Sequence, residues 1–177
     1  MFIDLLRSRR SIRKFEDRPV EPGKVDLLVE AALRSPASRG FNPWEFVVVT
    51  DPQILTRLST AKPHGASFLA KAPLAVVVCV DPEKSDVWVE DAAIATTLLH
   101  LAATDLELGS CWIQLRKRDH DSSRTAGEYA AEVVGLPAGL IVSAIMAIGY
   151  PAHQPEPHPQ TSLQRDKVHI NRYGNNA

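Results

Sequence analysis

The chain has 177 residues, enough for one compact domain, and its 20 Lys and Arg residues nearly balance its 21 Asp and Glu residues, giving a net charge of −1. This balance argues against a nucleic-acid or membrane-surface binder, because either class needs a net positive field. Hydrophobic residues make up 45% of the chain and charged residues 23%, which is typical of a globular protein rather than a disordered one.

The apolar periodicity predicts alternating helices and strands. The predicted helices cover 2–9, 22–34, 52–60, a short segment ending at 71, 86–108 and 122–134, and the predicted strands cover 44–50, 73–80, 110–115 and 140–148. We therefore expect an α+β layered fold with about four strands in a single domain over 1–150. The proline-rich segment 151–177 is predicted to be an extended tail, because proline fixes φ and blocks helix.

Two predicted elements carry further expectations. The continuous apolar strand 73–80 is expected at the centre of the sheet with both faces covered. Helix 86–108 is apolar on nearly every side, so we expect it to be buried in the core or against a partner subunit. Gly109 follows this helix and is expected to form a left-handed C-cap. His100, on the same helix, is expected to be a hydrogen-bonded core or interface histidine.

The ends of the chain and its cysteines predict a soluble, cytoplasmic protein without a metal site. Cys79 and Cys111 are too few for a disulfide framework and lack metal-ligand spacing, so we expect buried, reduced thiols. Segment 1–6 is too short for the apolar core of a signal peptide and is followed by arginines. The longest apolar stretch, 92–103, is shorter than the roughly 20 residues of a membrane span.

Three short segments contain residues suited to binding a ligand. Arg9-Arg10-Ser11-Ile12-Arg13 places three guanidiniums and a hydroxyl within five residues, and forked arginine donors match phosphate oxygens, although a solvated basic face is the commoner interpretation of such a run. The loop 35–43 combines small residues, which allow close backbone approach, with the amide of Asn42. In 108–114 a glycine leads into a strand that bears an aromatic residue and an amide. We do not expect Cys111 to be a nucleophile, because apolar surroundings raise a thiol pKa.

In this order and spacing, the segments resemble the nitroreductase family of flavin-dependent oxidoreductases. The resemblance runs from the Arg-Arg-Ser-x-Arg segment through "SPASRGFNPWEFVVV", "APLAVVVCVDP", "EDAAIATTLLHLAATDLELGSCWIQ" and "AIGYP" to "KVHINRYG", and so covers nearly the whole chain. It implies an α+β sandwich with a mostly antiparallel central sheet that forms an intertwined homodimer. It also implies FMN bound at the dimer interface, NADH or NADPH as electron donor, and a small electron-poor acceptor such as a nitroaromatic compound or a quinone, in a ping-pong reaction.

The resemblance also assigns site residues by position. It implies a phosphate and ribityl clamp, a loop beside the pyrimidine side of the flavin, and a strand whose backbone faces the ring near N5. These three groups are Arg9, Arg10, Ser11 and Arg13; Ser38, Arg39, Gly40 and Asn42; and Trp112, Ile113 and Gln114. No side chain is expected to act as a general acid or base, because the flavin performs the chemistry. His64 is either a substrate contact or, more simply, part of a surface turn.

The chain departs from the family pattern at two places. Many members have Asn at the position of Gly40 and Gln at that of Asn42, so the amide here is one methylene shorter. Members usually carry a basic pair after the "GYP" element, where this chain reads 158-HPQTS-162. Three outcomes are open: Arg165 and Lys167 replace the pair, FMN binds more weakly, or the N-terminal arginines hold the phosphate alone.

Two alternative functions stay open at this stage. One is a flavin enzyme on the same scaffold with a dedicated substrate, such as a dehalogenase or a dehydrogenase, although 177 residues leave little room for the extra lids of such enzymes. The other is a non-catalytic flavin-binding protein, which the missing basic pair favours. The tail 151–177 is expected to pack on the partner subunit of the homodimer.

Overall fold

Four antiparallel strands form one open sheet at the centre of the molecule, in the order β1-β2-β4-β3. The structure is a computed structural model and describes residues 1–175. The α+β fold with four strands is as predicted. The strands are β1 (Trp44–Val49), β2 (Leu74–Val80), β3 (Gly109–Gln114) and β4 (Ile141–Gly149).

Helices cover both faces of the sheet. The α-helices are α1 (Phe2–Ser8), α2 (Pro22–Leu33), α3 (Pro52–Leu58), α4 (Trp88–Asp105) and α5 (Ala126–Val134), and short 3₁₀ turns occur at Ser38–Gly40, Ser67–Lys71, Gln160–Ser162 and Arg165–Lys167. One core layer joins α3 and α5 to the sheet, and the other joins α2 and α4 to its opposite face. Every residue of β2 is buried, which confirms the prediction of a central, doubly covered strand.

Gly109 does not have the predicted left-handed conformation. The left-handed residue is Glu107, two residues earlier, with φ 61°. The amide of Leu108 donates to the carbonyl of Ala103 at 2.7 Å. Gly109 is already the first residue of β3, and a Cβ added there would lie 2.8 Å from the side chain of Ile12. Glycine is therefore needed at this position for close packing, not for a positive φ.

The ends of two predicted helices also differ from the structure, for local reasons. Helix α5 begins at Ala126 rather than at 122, because the Asp121 carboxylate accepts hydrogen bonds from the backbone of Ser123 and Arg124 and forms a turn. Thr125 then caps the helix together with Glu128. Helix α4 is shorter at both ends than 86–108, and within one chain a stripe that includes Glu90, Ile94 and Thr97 is exposed.

The start of the tail joins the domain through backbone hydrogen bonds. Phe15 and Pro151 form an antiparallel bridge, and the amide of Ala152 donates to the carbonyl of Lys14 at 3.0 Å. From 156 to 175 nearly all residues are exposed, including Leu163, Val168 and Ile170. The prediction that this tail packs on a partner subunit stays a prediction. Within residues 1–175, none of the helices combines the length and the apolar character needed to cross a membrane.

Candidate functional site

The arginine-rich segment lies along the open edge of the sheet. We call residues 9–15 the arginine arm. The amide of Ile12 donates to the carbonyl of Ser110 at 2.9 Å, and Ser11 pairs with Ser110 in a parallel bridge. Ile12 is buried against Gly109, which fixes the arm in place. The arm therefore covers the first part of the edge strand β3 and leaves the rest of that edge free.

The free part of β3 presents backbone groups in a row. The carbonyl of Ser110 faces the arm, and the carbonyl of Gln114 accepts a hydrogen bond from Lys62 Nζ at 3.0 Å, so both residues direct their backbone away from β4. Trp112 lies between them and has the same orientation, because the hydrogen-bonding direction alternates along a strand. The amides of Trp112 and Gln114 thus form a linear edge suited to the polar edge of a flat heterocycle.

Hydrogen bonds fix the side chains of Trp112 and Gln114 on this edge. Trp112 Nε1 donates to Gln114 Oε1 at 2.9 Å, and Gln114 Nε2 donates to the carbonyl of Arg116 at 3.0 Å. Ile113, between them, is buried in the opposite core layer. Of the three residues predicted as one segment, Trp112 and Gln114 therefore shape the edge, and Ile113 anchors it in the core.

Arg9 reaches a groove rich in positive charge. The groove has a volume of about 440 Å³, and none of the described residues that line it is acidic. Its lining residues are Ile3, Leu6, Arg7, Arg9, His158, Gln160, Leu163 and Arg165. This donor set fits a phosphate group. It also places Arg165, one of the two cations considered as a substitute for the basic pair, beside Arg9.

Arg10 is directed elsewhere. Its guanidinium donates to the backbone carbonyl of Glu156, so it contacts the tail rather than the groove around Arg9. Arg13 lies further along the arm, with its charge close to the thiol of Cys111 on β3. The structure therefore places Arg9 and Arg13 near the open edge and Arg10 on the tail.

The loop 38–42 is anchored to α4 and makes no hydrogen bond to the arm within residues 1–175. Arg39, Gly40 and Asn42 have φ values of 53°, 69° and 47°, and such left-handed conformations are uncommon for non-glycine residues. The amide of Ser38 donates to the buried carboxylate of Asp91 at 2.8 Å, which ties the loop to the start of α4. Among residues 1–175, no hydrogen bond or ion pair joins this loop to the arm. One chain alone does not bring the two predicted groups together.

The thiol and the lysine near the open edge have shifted pKa values. Burial raises the pKa of the Cys111 thiol, and the nearby charges of Arg13 and Lys62 act in the opposite direction. A thiol with a raised pKa is a poor nucleophile, in agreement with the prediction. Burial, together with the charge of Arg118, lowers the pKa of Lys62. His64 is exposed in the turn that follows Lys62, and a role in substrate contact stays a prediction.

Comparison with known proteins identifies the family. The Nitroreductase family model matches residues 6–63 and 59–150, which is most of the chain. The chain belongs to the nitroreductase family. This result confirms the resemblance stated from the sequence motifs.

Relatives in this family span the chain. The solved structure of an FMN-dependent nitroreductase from Clostridium difficile R20291 is 43% identical, covers 97% of this chain and 99% of its own, and superposes with a TM-score of 0.95. A provisionally named NADH dehydrogenase/NAD(P)H nitroreductase of Archaeoglobus fulgidus is 33% identical over 153 residues, which are 84% of each chain. The NADPH:FMN oxidoreductase of Vibrio harveyi is 25% identical, with a TM-score of 0.80 over 97% of this chain and 77% of its own.

Sequence reasoning missed two residues that contact the candidate site. Lys62 was included only in a turn, and Asp91 only as part of a long helix. Lys62 reaches Gln114 from 52 residues away and Asp91 reaches Ser38 from 53 residues away, so no local motif marks either contact. The one available signal was chemical, since a carboxylate on an otherwise apolar helix face needs a partner when it is buried.

Proposed function

We propose that this protein is an FMN-dependent oxidoreductase that transfers electrons from NADH or NADPH to small electron-poor acceptors such as nitroaromatic compounds or quinones. The observation that carries the proposal is the pairing of the arginine arm with β3, through Ile12 and Ser110. It ties the segment that carries Arg9 and Arg13 to the strand whose Trp112 and Gln114 amides face away from the sheet, and we propose that these groups serve one cofactor. FMN supplies hydride and single-electron chemistry when it is bound, and the protein contributes binding, orientation and electrostatics.

The residues of the cleft divide this work. Arg9 and Arg165 supply charged donors for the phosphate, and Arg13 adds a positive charge on the arm beside β3. A cation held beside the pyrimidine end of the ring favours negative charge there, and we assign this role to Arg13. The amides of Trp112 and Gln114 can donate to the ring without a change in their own protonation. Hydrogen bonding to the ring therefore requires no titrating side chain.

We further propose that two copies of the chain build each cleft. The arm and the loop 38–42 do not meet within one chain, although the family resemblance assigns both to the cofactor. Apolar side chains lie exposed on α1 and on the tail, including Phe2, Ile3, Leu163 and Ile170. Such apolar surface is typical of an interface between subunits. In this arrangement the loop of one copy faces the arm of the other, and the tail lies across the partner.

A dedicated dehalogenase is the second candidate. An iodotyrosine deiodinase of Haliscomenobacter hydrossis is 26% identical over 170 residues, which cover 93% of this chain and 70% of that protein. Relatives named as nitroreductases are more similar, with identities of 33% and 43%, so the general reductase ranks first.

The test is anaerobic flavin turnover by the purified protein. The protein should be yellow, should lose its visible flavin band on addition of NADH or NADPH, and should regain the band with a nitroaromatic compound or a quinone. Recovery of colour with iodotyrosine alone would favour the second candidate. A flavin-loaded protein that neither nicotinamide can reduce would exclude the proposed activity.

A further inference from the structure

A buried histidine connects the arginine arm to β3. His100 on α4 is only 9% exposed. Its Nε2 lies 2.9 Å from Arg9 Nη1, and its Nδ1 lies 2.5 Å from Ser110 Oγ. Ser110 also accepts the amide of Ile12 through its carbonyl. The same residue therefore fixes the arm through its backbone and, through His100, fixes the side chain of Arg9.

The direction of these hydrogen bonds follows from the chemistry of the partners. A guanidinium has donors only, so Nε2 must accept from Arg9 and cannot carry a proton. The single proton of the ring then lies on Nδ1, which donates to Ser110 Oγ. Burial and the charge of Arg9 lower the pKa of His100 from 6.5 to about 4, in agreement with a neutral ring at physiological pH.

A neutral partner has a consequence that a carboxylate partner would not have. Within the part of the chain that the structure describes, no carboxylate forms an ion pair with Arg9, whereas the neighbouring Arg7 pairs with Asp4. A carboxylate would hold the guanidinium but cancel its charge. The imidazole of His100 restricts the motion of Arg9 and leaves its positive charge available to an anion in the groove.

We propose that His100 is a positioning residue that orients Arg9 toward the phosphate of the cofactor without neutralising it. This inference rests on the proposed function, since it assumes that the groove beside Arg9 takes the phosphate of FMN. It adds a specificity element to that function. The Arg9–His100–Ser110 chain should improve discrimination between FMN and riboflavin, which has the same ring and ribityl chain but no phosphate.

Two substitutions separate positioning from packing. The side-chain oxygen of His100→Gln falls near the position of Nε2 and can accept from Arg9. The amide group of His100→Asn falls near the position of Nδ1, so it can satisfy Ser110 but cannot reach Arg9. Arg9→Ala provides the benchmark for full loss of the phosphate contact.

The experiment measures dissociation constants of FMN and riboflavin by flavin fluorescence for each full-length variant. Arg9→Ala should lower the preference for FMN by about tenfold or more, as expected for one charge-assisted hydrogen bond. His100→Asn should lower the same preference by about three- to tenfold, and His100→Gln should restore it to within about twofold of the parent. In the Arg9→Ala background, His100→Asn should have no further effect on the preference, because coupled residues are not additive.

Each other outcome counts against the inference. Three results would show that His100 serves packing only. They are an unchanged preference for FMN in His100→Asn, an equal loss of that preference in the Gln and Asn variants, or an equal loss of affinity for FMN and riboflavin. If His100→Asn does not fold, Ser110→Ala removes the second anchor of the ring and should lower the preference in the same direction. If the parent protein binds neither flavin, the proposed function itself is wrong. If the parent binds FMN and the variants keep the parent's preference for FMN over riboflavin, only the role of His100 is wrong.

Discussion

His100 should make the folded protein sensitive to mild acid. Its pKa is about 4 in the folded protein, because burial and Arg9 oppose its protonation, and its ordinary value in the unfolded chain is 6.5. Between these values the unfolded chain binds a proton that the folded protein does not, so acidification favours unfolding. The stability contributed by the neutral ring is fully present above about pH 6.5 and is lost as pH falls toward 4.

The expected size follows from the two pKa values. Integration between pH 7 and pH 5 gives a loss of about 2 kcal/mol in the free energy of unfolding. With a urea dependence of about 2 kcal/mol per M, the unfolding midpoint should fall by about 1 M over the same interval. The strongly shifted carboxylates contribute little, because the pKa values of Glu21 and Asp121 are about 2 in the folded protein and their ordinary values, 4.5 and 3.8, also lie below this interval.

The assay is urea unfolding of the flavin-free protein at pH 7 and pH 5, at one fixed protein concentration, for the parent and His100→Gln. Glutamine does not titrate, so the variant should lose about 1 M less of midpoint than the parent between the two pH values. The other histidines are present in both proteins and cancel in the comparison. If the midpoints of parent and variant fall in parallel, His100 is not the buried neutral group described here.

Three further predictions concern the arm, its packing and the tail. Arg13→Ala should weaken FMN binding by about 1.5–3 kcal/mol in a fluorescence titration, whereas Lys14→Ala should change it by less than about twofold; equal affinities in the two variants would contradict the assignment of Arg13. Gly109→Ala should lower the urea stability by about 1–3 kcal/mol and weaken FMN, because the new Cβ meets Ile12 at 2.8 Å, while Gly23→Ala, with open space on α2, should raise stability by about 0.5 kcal/mol. Deletion of 151–177 should shift the proposed dimer toward monomer in analytical ultracentrifugation, and an unchanged dimer fraction at the same protein concentration would show that the tail does not stabilise the interface.

The strands were predictable because their signal is local. Runs of β-branched and apolar residues mark β1, β2 and β4 to within one or two residues. The helix ends were less predictable, since a side-chain turn at Asp121 and a left-handed Glu107 decide where α5 begins and how α4 leads into β3. Gly109 shows the limit clearly. Its type was informative, but the sequence could not distinguish a need for positive φ from a need for close packing against Ile12.

The candidate site was predictable in its parts but not in its assembly. The arm, the loop and the edge strand each stand in one short motif, and their order along the chain carries the family resemblance. The contacts that join them are distant in sequence: Arg9 meets His100 from 91 residues away, and Ser38 meets Asp91 from 53 residues away. Periodicity and motif spacing report on neighbours along the chain, so they cannot pair such residues.

We propose that FMN lies between the arm of one copy and the loop 38–42 of the other, and subunit mixing tests this arrangement most directly. One variant carries Arg9→Ala and Arg13→Ala, and a second carries Arg39→Ala and Asn42→Ala. In a mixed dimer, one cleft combines both defects and the other combines an intact arm with an intact loop. Purified mixed dimers should therefore bind one FMN per dimer at parental affinity, while each variant alone binds flavin weakly. Mixed dimers that bind no better than the two variants alone would contradict a cleft built from two copies.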